Sequence, residues 1–135
     1  MQYVSFHPKR QKILIVEDDT SIADVLQTAI CEETSYQPIL AYSGKDAVQA
    51  LQHMSDAPHL LILDYSLHDM TGIHLYDYLQ SMEECHNIPA LLLSTIKPKE
   101  QIEPRNIVLM SKPFDLDDFL MQVHTLIRTH TSSLT

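Results

Sequence analysis

Leu60-Leu61-Ile62-Leu63 sets four large aliphatic residues side by side without a polar break and then delivers one carboxylate, Asp64. A strand with one face in water would interrupt such a run with polar residues. The run therefore reads as a strand buried on both faces, as in a parallel sheet covered by helices on either side. Two other runs end alike: Ile13-Leu14-Ile15-Val16 in Glu17-Asp18-Asp19, and Ala90-Leu91-Leu92-Leu93 in Ser94-Thr95. Open α/β sheets place their ligands at the carboxyl ends of the strands. Three strands finishing on polar residues suggest one assembled site.

Between these runs the pattern changes to helical spacing. Thr20 or Ser21 can cap a helix carrying Ile22, Val25, Leu26, Ala29 and Ile30 on one stripe. Residues 36–42 read as a second strand, with Pro38 favouring an edge position. Ser43-Gly44-Lys45-Asp46 resembles a capping box with Asp in place of Glu, opening a second helix through Ala47, Ala50, Leu51 and Met54. Thr71-Gly72 opens a third, with Leu75, Leu79 and Met82 inward and Asp77 and Gln80 outward. Residues 96–106 should hold a fourth, but Pro98 and Pro104 limit it to about two turns at most. Residues 107–110 are a fifth strand, and Asp115 caps a last helix carrying Leu116, Phe119, Leu120, Val123 and Ile127. Alternation of this kind implies a single doubly wound α/β domain. Its five parallel strands take the flavodoxin-like order 2-1-3-4-5, a (βα)5 arrangement with a short or irregular fourth helix. Residues 1–11 read as a flexible arm, 12–129 as the domain and 130–135 as a polar tail that frays.

Eighteen acidic residues against nine basic ones give a formal charge of −9, which argues against nucleic acid and anionic membranes as direct partners. No apolar run approaches the roughly 18 residues of a membrane span, and the basic residues near the start are followed by no apolar stretch of a secretory signal. Cys31 and Cys85 form no CxxC pair and are expected as buried or half-buried free thiols in the reducing cytoplasm.

In the order 2-1-3-4-5 the switch point lies between strands one and three, so Glu17-Asp18 and Asp64 meet there. Converging carboxylates repel, and a divalent cation offsets the repulsion. All-oxygen surroundings suit Mg²⁺, with Mn²⁺ as the substitute, far better than zinc. Lys112, after strand five, can reach the same end of the sheet, and Ser94 adds a hydroxyl. Metal, ammonium and hydroxyl around one carboxylate are the parts that phosphoryl transfer to that carboxylate requires.

With these positions in place, residues 12–129 resemble the receiver domain of bacterial two-component response regulators. The acidic pair matches Glu17 and Asp18, the phosphoacceptor Asp64, the glycine eight residues on Gly72, the Ser/Thr after strand four Ser94, and the Lys-Pro after strand five Lys112-Pro113. The resemblance implies that Asp64 takes a phosphoryl group from a phosphohistidine on a sensor histidine kinase or histidine phosphotransfer protein. It implies that Asp18, Asp64 and the backbone carbonyl of Ser66 hold Mg²⁺, with Glu17 acting through water. Ser94 and Lys112 would hold the phosphoryl oxygens and switch a surface read by a downstream effector, in a cytoplasmic protein that is a monomer or a phosphorylation-dependent dimer. Such a chain is a signalling module, catalysing only its own phosphorylation and dephosphorylation.

Several positions depart from the family pattern. Leu109 stands where an aromatic switch residue is usual, Thr95 where a small residue is usual, and His68 where proline is usual; Thr95 and its neighbour Ile96 are placed to tune access to Asp64. A second reading follows: a degenerate receiver that binds protein without phosphorylation. An FMN-binding flavodoxin lacks support, since the chain has only two glycines and no phosphate loop after strand one. A dehalogenase-type phosphatase lacks the second acid in Asp64-Tyr65-Ser66. Plainer readings hold for Asp19, a helix-start acid, for Thr95, a strand-ending hydroxyl bonded to backbone, for His68, a loop histidine, and for Tyr76 and Tyr78, packing and surface residues.

Overall fold

A computed structural model describes residues 11–133, and the side chains of 11–129. Its strands are β1 (Lys12–Val16), β2 (Gln37–Ala41), β3 (Leu60–Asp64), β4 (Ala90–Ser94) and β5 (Ile107–Ser111). They form one parallel sheet in the order β2-β1-β3-β4-β5. The helices are α1 (Thr20–Glu33), α2 (Gly44–Gln52), α3 (Gly72–Gln80) and α4 (Leu116–Ser133), with a 3-10 turn at Glu83–Cys85 that the sequence pattern did not suggest. The expected arm lies, Gln11 apart, outside the described residues. At the other end α4 continues to Ser133, through residues whose polarity suggested a frayed tail.

The central apolar strands β3 and β4 are buried at every position, whereas the edge strand β5 is only partly so. Because side chains alternate across a pleated sheet, each strand feeds two cores. Leu14, Val16, Leu61, Leu63 and Leu92 pack with Ala47 of α2 and Ile73, Leu75 and Leu79 of α3. Ile13, Ile15, Leu60, Ile62, Leu91 and Leu93 pack with Leu26 and Ile30 of α1 and with Phe119, Val123 and Ile127 of α4. Pro38 sits on β2, an edge strand, where its missing donor is harmless.

Four local expectations need correction. Residues 95–106 hold bends and turns but no helix, so the short or irregular fourth helix expected there is absent and four α-helices, not five, accompany the sheet. Pro98 and Pro104 each remove a donor and push the residue before them towards extended backbone, leaving too few residues between them to nucleate a helix. The cap of α1 is Asp19, whose carboxylate accepts from the Ser21 and Ile22 amides at 2.9 and 3.1 Å, rather than Thr20 or Ser21. Cys31 is exposed while Cys85 is buried, and both are free. Gln80 is also less outward than expected: its side chain bonds Ile88 O at 3.3 Å and the Asn87 amide at 2.9 Å, stitching the α3–β4 connection. Among the described residues no helix is long and apolar enough to cross a membrane.

Candidate functional site

The carboxyl ends of β1 and β3 bring Glu17, Asp18 and Asp64 together, each offering a ligand oxygen within 4.8 Å of the others. Glu17 and Asp64 are buried, at 1% and 7% exposure, while Asp18 is half-buried at the mouth. Lys112, at the end of β5, reaches across β4 and bonds both buried acids, Nζ donating to Glu17 Oε1 at 2.8 Å and to Asp64 Oδ1 at 2.9 Å. One ammonium among three carboxylates leaves two negative charges unbalanced. An all-oxygen cluster with that charge fits a hard dication such as Mg²⁺. The Lys112-Pro113 peptide is cis.

Burial pushes the Glu17 carboxyl above the ordinary range against the pull of the Lys112 bond, and the neighbouring Asp64 charge pushes it further. Burial alone would lower Lys112, but its bonds and charges shared with Glu17 and Asp64 carry it above the usual lysine value. The ammonium therefore stays charged where it sits.

Two local devices hold the end of β3 in place. Gly72 packs so closely that a Cβ there would lie 2.5 Å from the Asp64 carbonyl oxygen and 2.8 Å from Leu92 Cδ1, so only glycine fits. The loop that carries Ser66 is pinned to α2 by Asp69, whose carboxylate accepts from the Gly44 amide at 3.0 Å and the Lys45 amide at 2.9 Å. Burial opposes the charge of Asp69, yet these two amides hold its pKa below the usual range. Met70 covers the same glycine, lying against it where a Cβ would project. Ser66 itself bridges to Thr71.

The remaining predicted residues are placed differently. Ser94 is buried at the end of β4, but its hydroxyl faces its own chain, donating to Ile96 O at 2.6 Å and accepting from Ile96 N at 3.1 Å. Thr95 and Ile96 are exposed beside it, and Leu109 is 38% exposed on the edge strand β5. His68 lies with Nδ1 3.8 Å from Asp18 Oδ2 and is largely solvent-exposed. Tyr76 is in the core, its hydroxyl accepting from the Asn106 amide at 2.9 Å, and Tyr78 is on the surface.

Sequence reasoning missed Asp69, Tyr65 and Glu100. Tyr65, directly after Asp64, is buried and donates its hydroxyl proton to Glu100 Oε1 at 2.8 Å. That bond, followed by burial, raises the phenol's pKa, and the same bond leads the causes that hold Glu100 low. A buried tyrosine needs a hydroxyl partner, but nothing in the local sequence points to an acid 35 positions on.

Residues 13–124 match the family model of the response regulator receiver domain. The chain belongs to that family of two-component signalling domains. Among curated relatives, protein Rrf1 of Nitratidesulfovibrio vulgaris is 29% identical over 104 residues, 77% of this chain and 73% of its own. The uncharacterized transcriptional regulatory protein YrkP of Bacillus subtilis is 31% identical across 89% of this chain, which spans only 51% of YrkP. A CheY-like receiver domain protein of Methanospirillum hungatei superposes with a TM-score of 0.81 at 18% identity, covering 93% of this chain and 99% of that one, and so shares the fold.

Proposed function

We propose that the chain is a phosphoacceptor in a two-component phosphorelay, with Asp64 as the nucleophile. The observation that carries this reading is the Lys112 ammonium bonded to both buried acids, Glu17 and Asp64, within a three-carboxylate cluster. An Asp64 oxygen forms a bond to phosphorus as the nitrogen–phosphorus bond of a phosphohistidine breaks, and the departing imidazole keeps the electron pair. Lys112, already beside Asp64, swings its donors to the incoming phosphoryl oxygens, and Ser94 donates a further hydrogen bond. Asp18, Asp64 and the Ser66 carbonyl would hold Mg²⁺, with Glu17 acting through a bound water. Bound there, Mg²⁺ would neutralise the charge that gathers on the transferring phosphoryl group.

Family membership points to a histidine kinase or histidine phosphotransfer protein as donor and an effector as recipient. An apolar groove of about 540 Å³ between α1 and α4 opens beside Lys112, lined by Ile22, Val25, Leu26, Phe114 and Leu116, and suits a donor helix. We read residues 12–129 as the working unit, in a cytoplasmic setting, as a monomer or a phosphorylation-dependent dimer.

Incubation with phosphoramidate and Mg²⁺ should add one phosphoryl group to the wild type and none to Asp64→Ala, as measured by intact mass. Equal labelling of the variant would refute the assignment. A second reading, constitutive protein binding without phosphorylation, draws on Leu109 and on the Ser94 hydroxyl being held by Ile96. It requires that beryllofluoride with Mg²⁺, a phosphoryl mimic, leave the wild type unchanged.

A further inference from the structure

Residues 95–106 cross from β4 to β5 as a strap without a helix, and they are tied down by bonds that the transfer chemistry does not use. At the first tie, both hydrogen-bonding roles of the Ser94 hydroxyl are taken by Ile96. At the middle, Glu100 accepts from two hydroxyls on the acceptor side, Tyr65 Oη at 2.8 Å and Thr71 Oγ1 at 3.2 Å. Tyr65 is the residue after Asp64, and its amide donates to Leu93 O at 2.8 Å. The Thr71 hydroxyl also caps α3, accepting from the His74 amide at 3.1 Å. At the far end, Arg105 holds Asp77 of α3 through Nε and Nη2, each at 2.8 Å.

A serine hydroxyl has one proton. To donate it to a phosphoryl oxygen on Asp64, Ser94 must release the Ile96 carbonyl, and the start of the strap is then free to move. Pro98, buried and fixed in φ, lies between the Ile96 tie and the Glu100 tie. Leu109 has no ring to follow the serine, which leaves the strap as the element joined to both Ser94 and the acceptor strand.

We propose that this strap reports the state of Asp64: closed on Tyr65 and Thr71 through Glu100 in the unphosphorylated protein, and released from them when Ser94 turns to the phosphoryl group. Tyr65 and Glu100 are thus positioning residues for the signal, and the inference rests on Asp64 being the phosphoacceptor. By linkage, any bond present only in the closed state weakens binding at Asp64 by the same factor with which it favours closure.

The test uses the full chain and two variants, Tyr65→Phe, which keeps the buried ring, and Glu100→Gln, which alters only a half-buried side chain. Amide hydrogen exchange over residues 95–106 is followed with and without beryllofluoride and Mg²⁺, and the mimic's affinity is measured by calorimetry. In the wild type the mimic should speed exchange at Ile96 and Lys99. Tyr65→Phe should show fast exchange without the mimic and bind it about three- to tenfold more tightly, the worth of one hydrogen bond that no longer has to break. Glu100→Gln should move both readouts the same way. A wild type that binds the mimic with no change in strap exchange, or variants matching the wild type in affinity, overturns the strap's role. A wild type that fails to bind the mimic overturns the phosphoacceptor reading, and the strap's role with it.

Discussion

At the scale of single residues, the molecule's charge problem is concentrated on Lys112. Its side chain is 14% exposed, against 2% for Glu17 and 9% for Asp64, so the three charges share a site poor in water. Removing the cation leaves two buried carboxylates facing each other. Lys112→Met should therefore lose about 3 kcal/mol or more of stability in EDTA, read from urea midpoints, with part of the loss restored by Mg²⁺. The raised pKa of Lys112 has its own signature. A base whose folded pKa lies above its unfolded one gives stability that is complete below the unfolded value and fades as pH rises through the folded value. Alkaline titration should thus show a loss in the wild type that Lys112→Met lacks. The sequence made these residues legible because each ends an apolar run. It did not show that the Ser94 hydroxyl faces Ile96, since rotamer choice depends on what surrounds the strand end.

At the scale of elements, the two glycines make unequal demands. A Cβ on Gly72 meets the Asp64 backbone, which cannot move without shifting the carboxylate cluster, whereas a Cβ on Gly44 meets the flexible Met70 side chain at 2.3 Å from its sulfur. Gly72→Ala should cost about 1–3 kcal/mol of stability and sharply weaken binding of the phosphoryl mimic, while Gly44→Ala should cost less and spare binding. Melting curves and mimic titrations separate the two. The strap has a pH dependence with a fixed sign. Glu100 is held below its ordinary pKa, first by the Tyr65 bond, so its contribution is present above the unfolded value and lost as pH falls through the folded one. Acid should therefore speed exchange at residues 95–106, and Glu100→Gln should abolish that acid step. The lack of a helix here was half visible in Pro98 and Pro104. The ties that replace it were not, because Tyr65 and Glu100 are distant in the chain.

At the scale of the whole molecule, two cores share one sheet, and its carboxyl edge carries the acid cluster. A ligand that binds only the folded cluster must stabilise the entire domain. Mg²⁺ should raise the unfolding free energy by about 2.7 kcal/mol when present at 100 times its dissociation constant, and Asp18→Asn should abolish most of that gain. Differential scanning calorimetry at several Mg²⁺ concentrations measures it. An unchanged midpoint in the wild type would count against a metal site.

Sequence alone determined the architecture and the core of the site. Short unbroken aliphatic runs alternating with helical stripes fit a parallel sheet covered on both faces, and their order then sends Glu17, Asp18, Asp64 and Lys112 to one edge. Those are consequences of burial and of strand periodicity, both local properties of the chain. Tertiary structure decided what joins that edge to the surface: Asp69 on the amides of α2, Tyr65 and Thr71 on Glu100, and Ser94 on Ile96. Apart from the Ser94 turn, these bonds link residues far apart in sequence. Their partners are chosen by proximity in the folded state, and no periodicity encodes it.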